Sequence, residues 1–322
     1  MVKNDKIKKI LVMRPEHIGD YALSLRSLAS IRHKYPEAKI DIVVGPWNKS
    51  LAEATPYVDN VIIFQHPLVK RHIGYKGILK VITHDVVAIS KFIASLNKQH
   101  YDLYVNFSDR KYNRLLDRLI ISKKKILGIN KKYVGGREVF RIKELLKSSG
   151  INTINDSLKL NFNKKDENIV SSVLSGNYTK RVLVHSITSL PEKDWPLKKW
   201  KELLKMISKN KNVELLLIGT ENEKNQLESV KRYVKNKNIK NLSGKLSLTQ
   251  LVLLLSKCDF IFGGDSGPVH LAEITKTPSF IIFGPTSSDR WGPEKNLGGF
   301  IKNIDIRKIA VRDVFSKLKK LI

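Results

Sequence analysis

Along the 322 residues, short apolar runs alternate with amphipathic stretches of helix length. That alternation specifies parallel βαβ units and argues against a β-sandwich or a helix bundle. In the first half the predicted strands are 10–13, 40–44, 61–64, 103–107 and 125–127. A helix runs from Tyr21, where Leu25, Leu28, Ala29 and Ile31 or Arg32 recur at near-helical spacing, and Pro36 stops it. From 148 to 168 the pattern dissolves into Ser, Gly, Asn, Lys and Asp, as in a linker. Strands resume at 182–185, 213–218, 260–262 and 280–283. Trp195-Pro196 opens a helix whose apolar face is Trp200, Leu203, Leu204 and Ile207, and these tryptophans read as core. The chain is predicted to be two doubly wound α/β domains, 1–160 and 161–322, with ligands at the carboxyl ends of the strands and in the cleft between them. An apolar content of 42% supplies two cores.

Composition narrows the setting. Cys258 is the only cysteine, so no internal disulfide forms and a reduced cytoplasm is expected. The basic N-terminus precedes an apolar run of only 10–13, too short for a signal-peptide core. No apolar run approaches the roughly 20 residues of a membrane span. The formal net charge is +29, and both halves share it: residues 1–165 hold 32 Lys and Arg against 14 Asp and Glu, residues 166–322 hold 27 against 16. A field of that sign favours polyanionic partners, although a Lys-rich background decorating solvated faces accounts for it equally well. Nucleic acid is the weaker partner: no binding motif occurs, and the sparse aromatics are not interleaved with the basic runs.

Four strand-end turns carry chemistry. The first is Arg14-Pro15-Glu16-His17-Ile18-Gly19-Asp20. Gly19 permits close backbone approach there, and Asp20 suits either helix capping or catalysis. The second, 186–195, offers Ser186, Thr188 and Ser189 followed by Lys193, a set that could hold a pyrophosphate or line a solvated turn. The third is Gly263-Gly264-Asp265-Ser266-Gly267-Pro268-Val269-His270-Leu271, small residues before a helix whose N–H groups face an anion. It lacks the Gly-x-Gly-x-x-Gly spacing of a dinucleotide site. Its likeness to the nucleophile segment of chymotrypsin-like proteases fails, because those are disulfide-bearing β-barrels. The fourth is Phe283-Gly284-Pro285-Thr286, followed by Asp289, Trp291 and Pro293. No Asp-x-Asp pair or His/Cys cluster has ligand spacing, so neither a metal nor another cofactor is expected.

Taken in order, these turns resemble the bacterial heptosyltransferases of glycosyltransferase family 9, which add heptose from ADP-heptose to the lipopolysaccharide inner core. The matching residues span nearly the whole chain. They are Arg14…Ile18-Gly19-Asp20, Tyr101-Asp102-Leu103…Asn106, Lys125-Ile126-Leu127-Gly128, Lys193…Trp195-Pro196, Ser243-Gly244…Ser247-Leu248, 264–272 and 283–286.

The resemblance implies a GT-B architecture, two doubly wound Rossmann-like domains facing across a cleft, with acceptor bound by the first and nucleotide sugar by the second. It implies that Asp20 is the general base of a metal-independent inverting transfer, and that Lys193 and Thr188, with the backbone of Ser266 and Gly267, stabilise the departing diphosphate. Glu223 is similar to a ribose-binding glutamate, and Asp265 and His270 would position nucleotide or sugar. Gly19, Arg110 and Lys111 are the acceptor-side candidates, Arg110, Lys111 and Arg114 reading equally as a solvated helix start. The implied partners are ADP-heptose, a phosphorylated lipopolysaccharide-type acceptor and an anionic membrane surface on the cytoplasmic side. Pro15-Glu16-His17 stands where the well-studied core enzymes carry small hydroxyl residues, and this departure bears on the acceptor. The alternatives are another nucleotide sugar, a capsule or protein acceptor, or a non-catalytic glycolipid- or nucleic-acid-binding protein.

Overall fold

The computed structural model describes residues 7–65, 75–110, 113–128, 135–154, 158–174, 176–319 and 321. The chain divides into two compact units, Met1–Val134 with Glu138–Asn161, and Gly135–Arg137 with Phe162–Ile322.

The first unit runs β1 (Lys9–Arg14), α1 (Ile18–Lys34), β2 (Lys39–Val44), α2 (Lys49–Glu53), β3 (Asn60–Ile63), α3 (Tyr75–Asn97), β4 (Tyr101–Asn106), α4 (Arg114–Leu119), β5 (Ser122–Leu127) and α5 (Glu138–Lys147). Its sheet has the order β3-β2-β1-β4-β5, with every pairing parallel. Ile10 to Met13 are fully buried, as a central strand covered on both faces must be. The chain leaves β1 toward β2 and later returns to its other side as β4, so the sheet's switch point lies between β1 and β4. Leu25, Leu28, Ala29 and Ile31 of α1 are buried, and the helix stops at Tyr35, before Pro36.

The second unit runs α6 (Lys164–Val173), β6 (Lys180–His185), α7 (Leu197–Ile207), β7 (Val213–Leu217), α8 (Lys224–Val234), β8 (Ile239–Asn241), α9 (Leu248–Leu255), β9 (Phe260–Gly264), α10 (Gly267–Thr275), β10 (Ser279–Phe283), α11 (Ser288–Trp291), β11 (Gly298–Lys302) and α12 (Val311–Leu318). The all-parallel order is β11-β10-β9-β6-β7-β8, which puts the switch point between β6 and β9. Trp195 and Trp200 are buried and meet edge to face at 5.2 Å, and the Trp195 Nε1–H donates to the Ile309 carbonyl at 3.0 Å. A buried indole needs that acceptor, and both tryptophans are core as their spacing predicts.

The structure departs from the sequence reading in four places. The short strand β8 and the edge strand β11, which opens Gly-Gly, carry too weak a pattern to be predicted. The segment 148–168 is not linker throughout: α6 begins within it, capped by the Asn163 side chain on the Asp166 N–H at 2.9 Å, and Asp166 accepts from Gln250 Nε2 at 3.0 Å. Asn163 and Asp166 there serve as a cap and a packing bond. Pro196 is the N-cap of α7 and lies outside its first turn. Among the described residues no helix is long and apolar enough to cross a membrane.

Candidate functional site

In the first unit the turn after β1 gathers charge beneath the surface. Arg14 is 1% exposed and its guanidinium lies 3.8 Å from each of three carboxylates, those of Glu16, Asp20 and Glu138. Its Nε–H donates to the Asp20 carbonyl at 3.0 Å, tying the strand end to the first turn of α1. Glu16 is 1% exposed and accepts from Asn113 Nδ2 at 2.8 Å, while its carbonyl accepts from Trp47 Nε1 at 2.7 Å and Asn48 Nδ2 at 3.1 Å. Burial pushes the Glu16 carboxyl above its ordinary range, against the pull of Arg14.

The N-cap of α1 is His17, and Asp20 occupies the third helical position, accepting from the His17 backbone N–H at 3.3 Å. The capping reading is corrected in that detail: Asp20 closes a capping box from inside the helix. It is one of three carboxylates around one guanidinium, and the His17 ring stacks on Trp47 at 5.7 Å beside it. Gly19 is buried in the same turn.

In the second unit the two loops at the switch point come together. A Cβ at Gly263 would stand 2.5 Å from the His185 carbonyl, and one at Gly264 would meet Thr188 Cγ2 at 2.6 Å, so only glycine lets β9 close on β6 and its loop. Lys193 Nζ donates to Asp265 Oδ2 at 2.6 Å, and His270 Nε2 shares a hydrogen bond with Oδ1 at 3.0 Å. Burial works to raise the Asp265 carboxyl, but the bonds from His270 and Lys193 outweigh it and hold it well below the usual carboxylate range. Ser266 is the N-cap of α10, yet its hydroxyl bonds His185 Nδ1 at 2.8 Å and the Gly264 carbonyl at 3.1 Å, capping none of the first-turn N–H groups. A helix start in that state, at Gly267 and beside Lys193, suits an anion. His185 is buried, and burial pushes its imidazole down to about 4, so at neutral pH it is uncharged.

Thr188 lies in the same loop: its backbone N–H donates to Asp194 Oδ1 at 2.6 Å and its hydroxyl to the Leu190 carbonyl at 3.0 Å. Glu223 follows β7 and accepts from the Thr220 N–H at 2.7 Å in a capping box, its carboxyl raised by burial against that bond. Arg110 is exposed, with its backbone N–H on Ser108 Oγ at 3.2 Å. Lys111 lies outside the described residues. Glu138 and Arg141, buried and paired on α5, went unread in the sequence, as did His185 and Asp194. An acid and a base three residues apart on an otherwise amphipathic helix are the available signal for the first two. Among the described residues no group of three or more His, Cys, Asp or Glu is placed to hold a metal ion.

Known proteins share this fold. The glycosyl transferase family 9 protein of Veillonella parvula aligns with a TM-score of 0.77 at 17% identity, covering 98% of this chain and 97% of that one. Escherichia coli heptosyltransferase WaaC, solved with ADP-2-deoxy-2-fluoro heptose, aligns with a TM-score of 0.72 at 18% identity, covering 97% and 99%. The fold is therefore of GT-B type, built from two doubly wound sheets. In sequence, the lipopolysaccharide core heptosyltransferase OpsX of Haemophilus influenzae is 22% identical over 311 residues, 91% of this chain and 84% of that protein. The model of glycosyltransferase family 9 (heptosyltransferase) matches residues 89–321. The chain belongs to that family and is a glycosyltransferase.

Proposed function

We propose that this enzyme transfers heptose from ADP-heptose to a Kdo or heptose unit of the lipopolysaccharide inner core, with inversion. On this reading 161–322 binds the nucleotide sugar, 1–160 binds the acceptor, and the work is done on the cytoplasmic side of an anionic membrane. The observation that carries the reading is the Lys193–Asp265–His270 cluster, which sets an ammonium beside the open first turn of α10 where a diphosphate can lie.

The chemistry is a single displacement. The Asp20 carboxylate takes the acceptor hydroxyl proton as that oxygen attacks the anomeric carbon from the face opposite the nucleotide. The anomeric carbon–oxygen bond to the diphosphate breaks, and its electron pair leaves on the β-phosphate. Lys193 and the N–H groups of Ser266 and Gly267 stabilise that charge. Asp265 holds the Lys193 ammonium in place and, with His270, positions the donor. Thr188 gives its hydroxyl to the diphosphate on releasing the Leu190 carbonyl, and Glu223 supplies a carboxylate for the ribose. Gly19, Arg110 and Lys111 contribute to the acceptor side. A second reading keeps the chemistry and changes the acceptor to a capsule precursor or protein. It is favoured by Glu16 and the His17–Trp47 stack, a built structure where hydroxyl residues stand in the core enzymes.

Thermal shifts with ADP, UDP, GDP, CMP and NAD test the donor. A ligand at 100 times its Kd stabilises by about 2.7 kcal/mol, and selective stabilisation by ADP is the expected result. A response to UDP or GDP alone discards ADP-heptose, and no response to any nucleotide discards a nucleotide-sugar donor.

A further inference from the structure

We propose that the outward face of residues 114–124 is the surface by which this chain docks on an anionic lipid bilayer. The proposal rests on the reading above that the acceptor is lipid-borne.

Helix α4 satisfies the core with one side only. Leu116 and Ile120 are buried, and Asp117 is buried as the acceptor for Tyr104 Oη at 2.9 Å and Asn106 Nδ2 at 2.7 Å. Leu115 and Leu119, one turn apart, face outward at 57% and 46% exposure, and Ile121 follows at 70%. Three large apolar side chains this close together on a solvated face are not explained by packing. Nor do they sit on a loose end. Asn97 clamps the turn that carries them, donating from Nδ2 to the Leu119 carbonyl at 2.9 Å and accepting the Ile121 N–H at 2.8 Å.

Charge identifies the occupant. Residues 110–125 hold seven Lys and Arg against one acid, and that acid is the buried Asp117. Arg114 and Arg118 are exposed on the same helix as Leu115 and Leu119. Lys123 pairs with Asp102 at 2.8 Å, and Lys125 Nζ donates to the Asp117 carbonyl at 2.6 Å. A solvated cationic face would not display Leu115, Leu119 and Ile121, and a purely apolar contact would not carry Arg114 and Arg118 beside them. The combination matches the interface of an anionic bilayer, where apolar side chains enter the acyl boundary and Arg and Lys reach the phosphates.

Co-sedimentation with vesicles tests this, using phosphatidylglycerol-containing phosphatidylethanolamine against pure phosphatidylcholine. The intact chain is expected to bind the first and not the second, and to be released at 1 M salt, where screening shrinks to about 3 Å. The variant Arg114→Gln/Arg118→Gln should bind about five-fold more weakly for each cation removed. The variant Leu115→Glu/Leu119→Glu/Ile121→Glu should lose vesicle binding while its ADP thermal shift stays unchanged. If that variant fails to fold, the charge variant decides. Equal binding to both vesicles, no binding to either, or variants that bind like the intact chain would overturn the docking face. An ADP response without vesicle binding sinks the docking face alone, whereas vesicle binding without any ADP response sinks the donor reading and leaves the face standing.

Discussion

The loop after β1 and the loops after β6 and β9 occupy equivalent places in their sheets, yet their charges are arranged in opposite ways. In the first unit one guanidinium, Arg14, is shared by three carboxylates. In the second a single carboxylate, Asp265, is gripped by an ammonium and an imidazole beside an open helix start. The first site is rich in proton acceptors, and the second offers an ammonium and helix N–H donors to an anion. Abstracting a proton from an acceptor hydroxyl and receiving charge on a leaving diphosphate need those two settings. The same fold element supplies both, because a strand end at a switch point leaves polar loops free to specialise.

Lys193→Met should have the largest effect on the second site, lowering the transfer rate about 10²- to 10³-fold. Single-turnover kinetics with ADP-heptose measure it, and a loss below ten-fold would remove Lys193 from the leaving-group role. Arg14→Met should have the largest effect on the first site, in stability. Three carboxylates then lose their shared partner, and breaking a buried ion pair costs about 3–5 kcal/mol. Urea unfolding reads this directly, and an unchanged midpoint would show that the carboxylates do not depend on Arg14.

His185 gives a pH test with a definite sign. Its imidazole is pushed down to about 4 in the fold from an ordinary 6.5, so the unfolded chain binds the proton more readily and stability falls as pH drops through that window. The contribution is about 3 kcal/mol, and His185→Gln should flatten that part of the urea-unfolding profile. Glu16→Gln should have the smallest effect. Burial raises the Glu16 carboxyl, so the folded chain binds its proton more tightly and the ionised form costs stability as pH rises past the ordinary carboxylate range. Gln keeps an acceptor for Asn113 without that charge, and the change at neutral pH should stay within about 1 kcal/mol, neutral or stabilising. A large loss on Glu16→Gln would mean that the first site needs its third negative charge.

These sites were unequally legible. The second unit's candidates stand out locally, Gly263-Gly264-Asp265 at a strand end and Lys193 before Trp195-Pro196, although the pairing of Lys193 with Asp265 spans 72 residues. The first unit's site does not: Glu138 reaches Arg14 from across more than a hundred residues, and no local pattern announces that meeting. Glu16 looked like part of a departure from the family and proved to be buried, its carboxyl accepting from Asn113 and its backbone carbonyl from Trp47 and Asn48. The fold was readable wherever strands were fully apolar. It was unreadable at β8, which has three residues, and at β11, whose leading glycines carry no pattern.

The division of labour between the two sites is tested most directly by Asp20→Asn, with donor affinity from calorimetry set beside the single-turnover transfer rate. The account predicts an unchanged Kd for ADP and a rate lower by about 10²- to 10⁴-fold. A rate within a few-fold of the intact enzyme, or a parallel loss of donor affinity and turnover, would contradict it and leave Asp20 with its capping box alone.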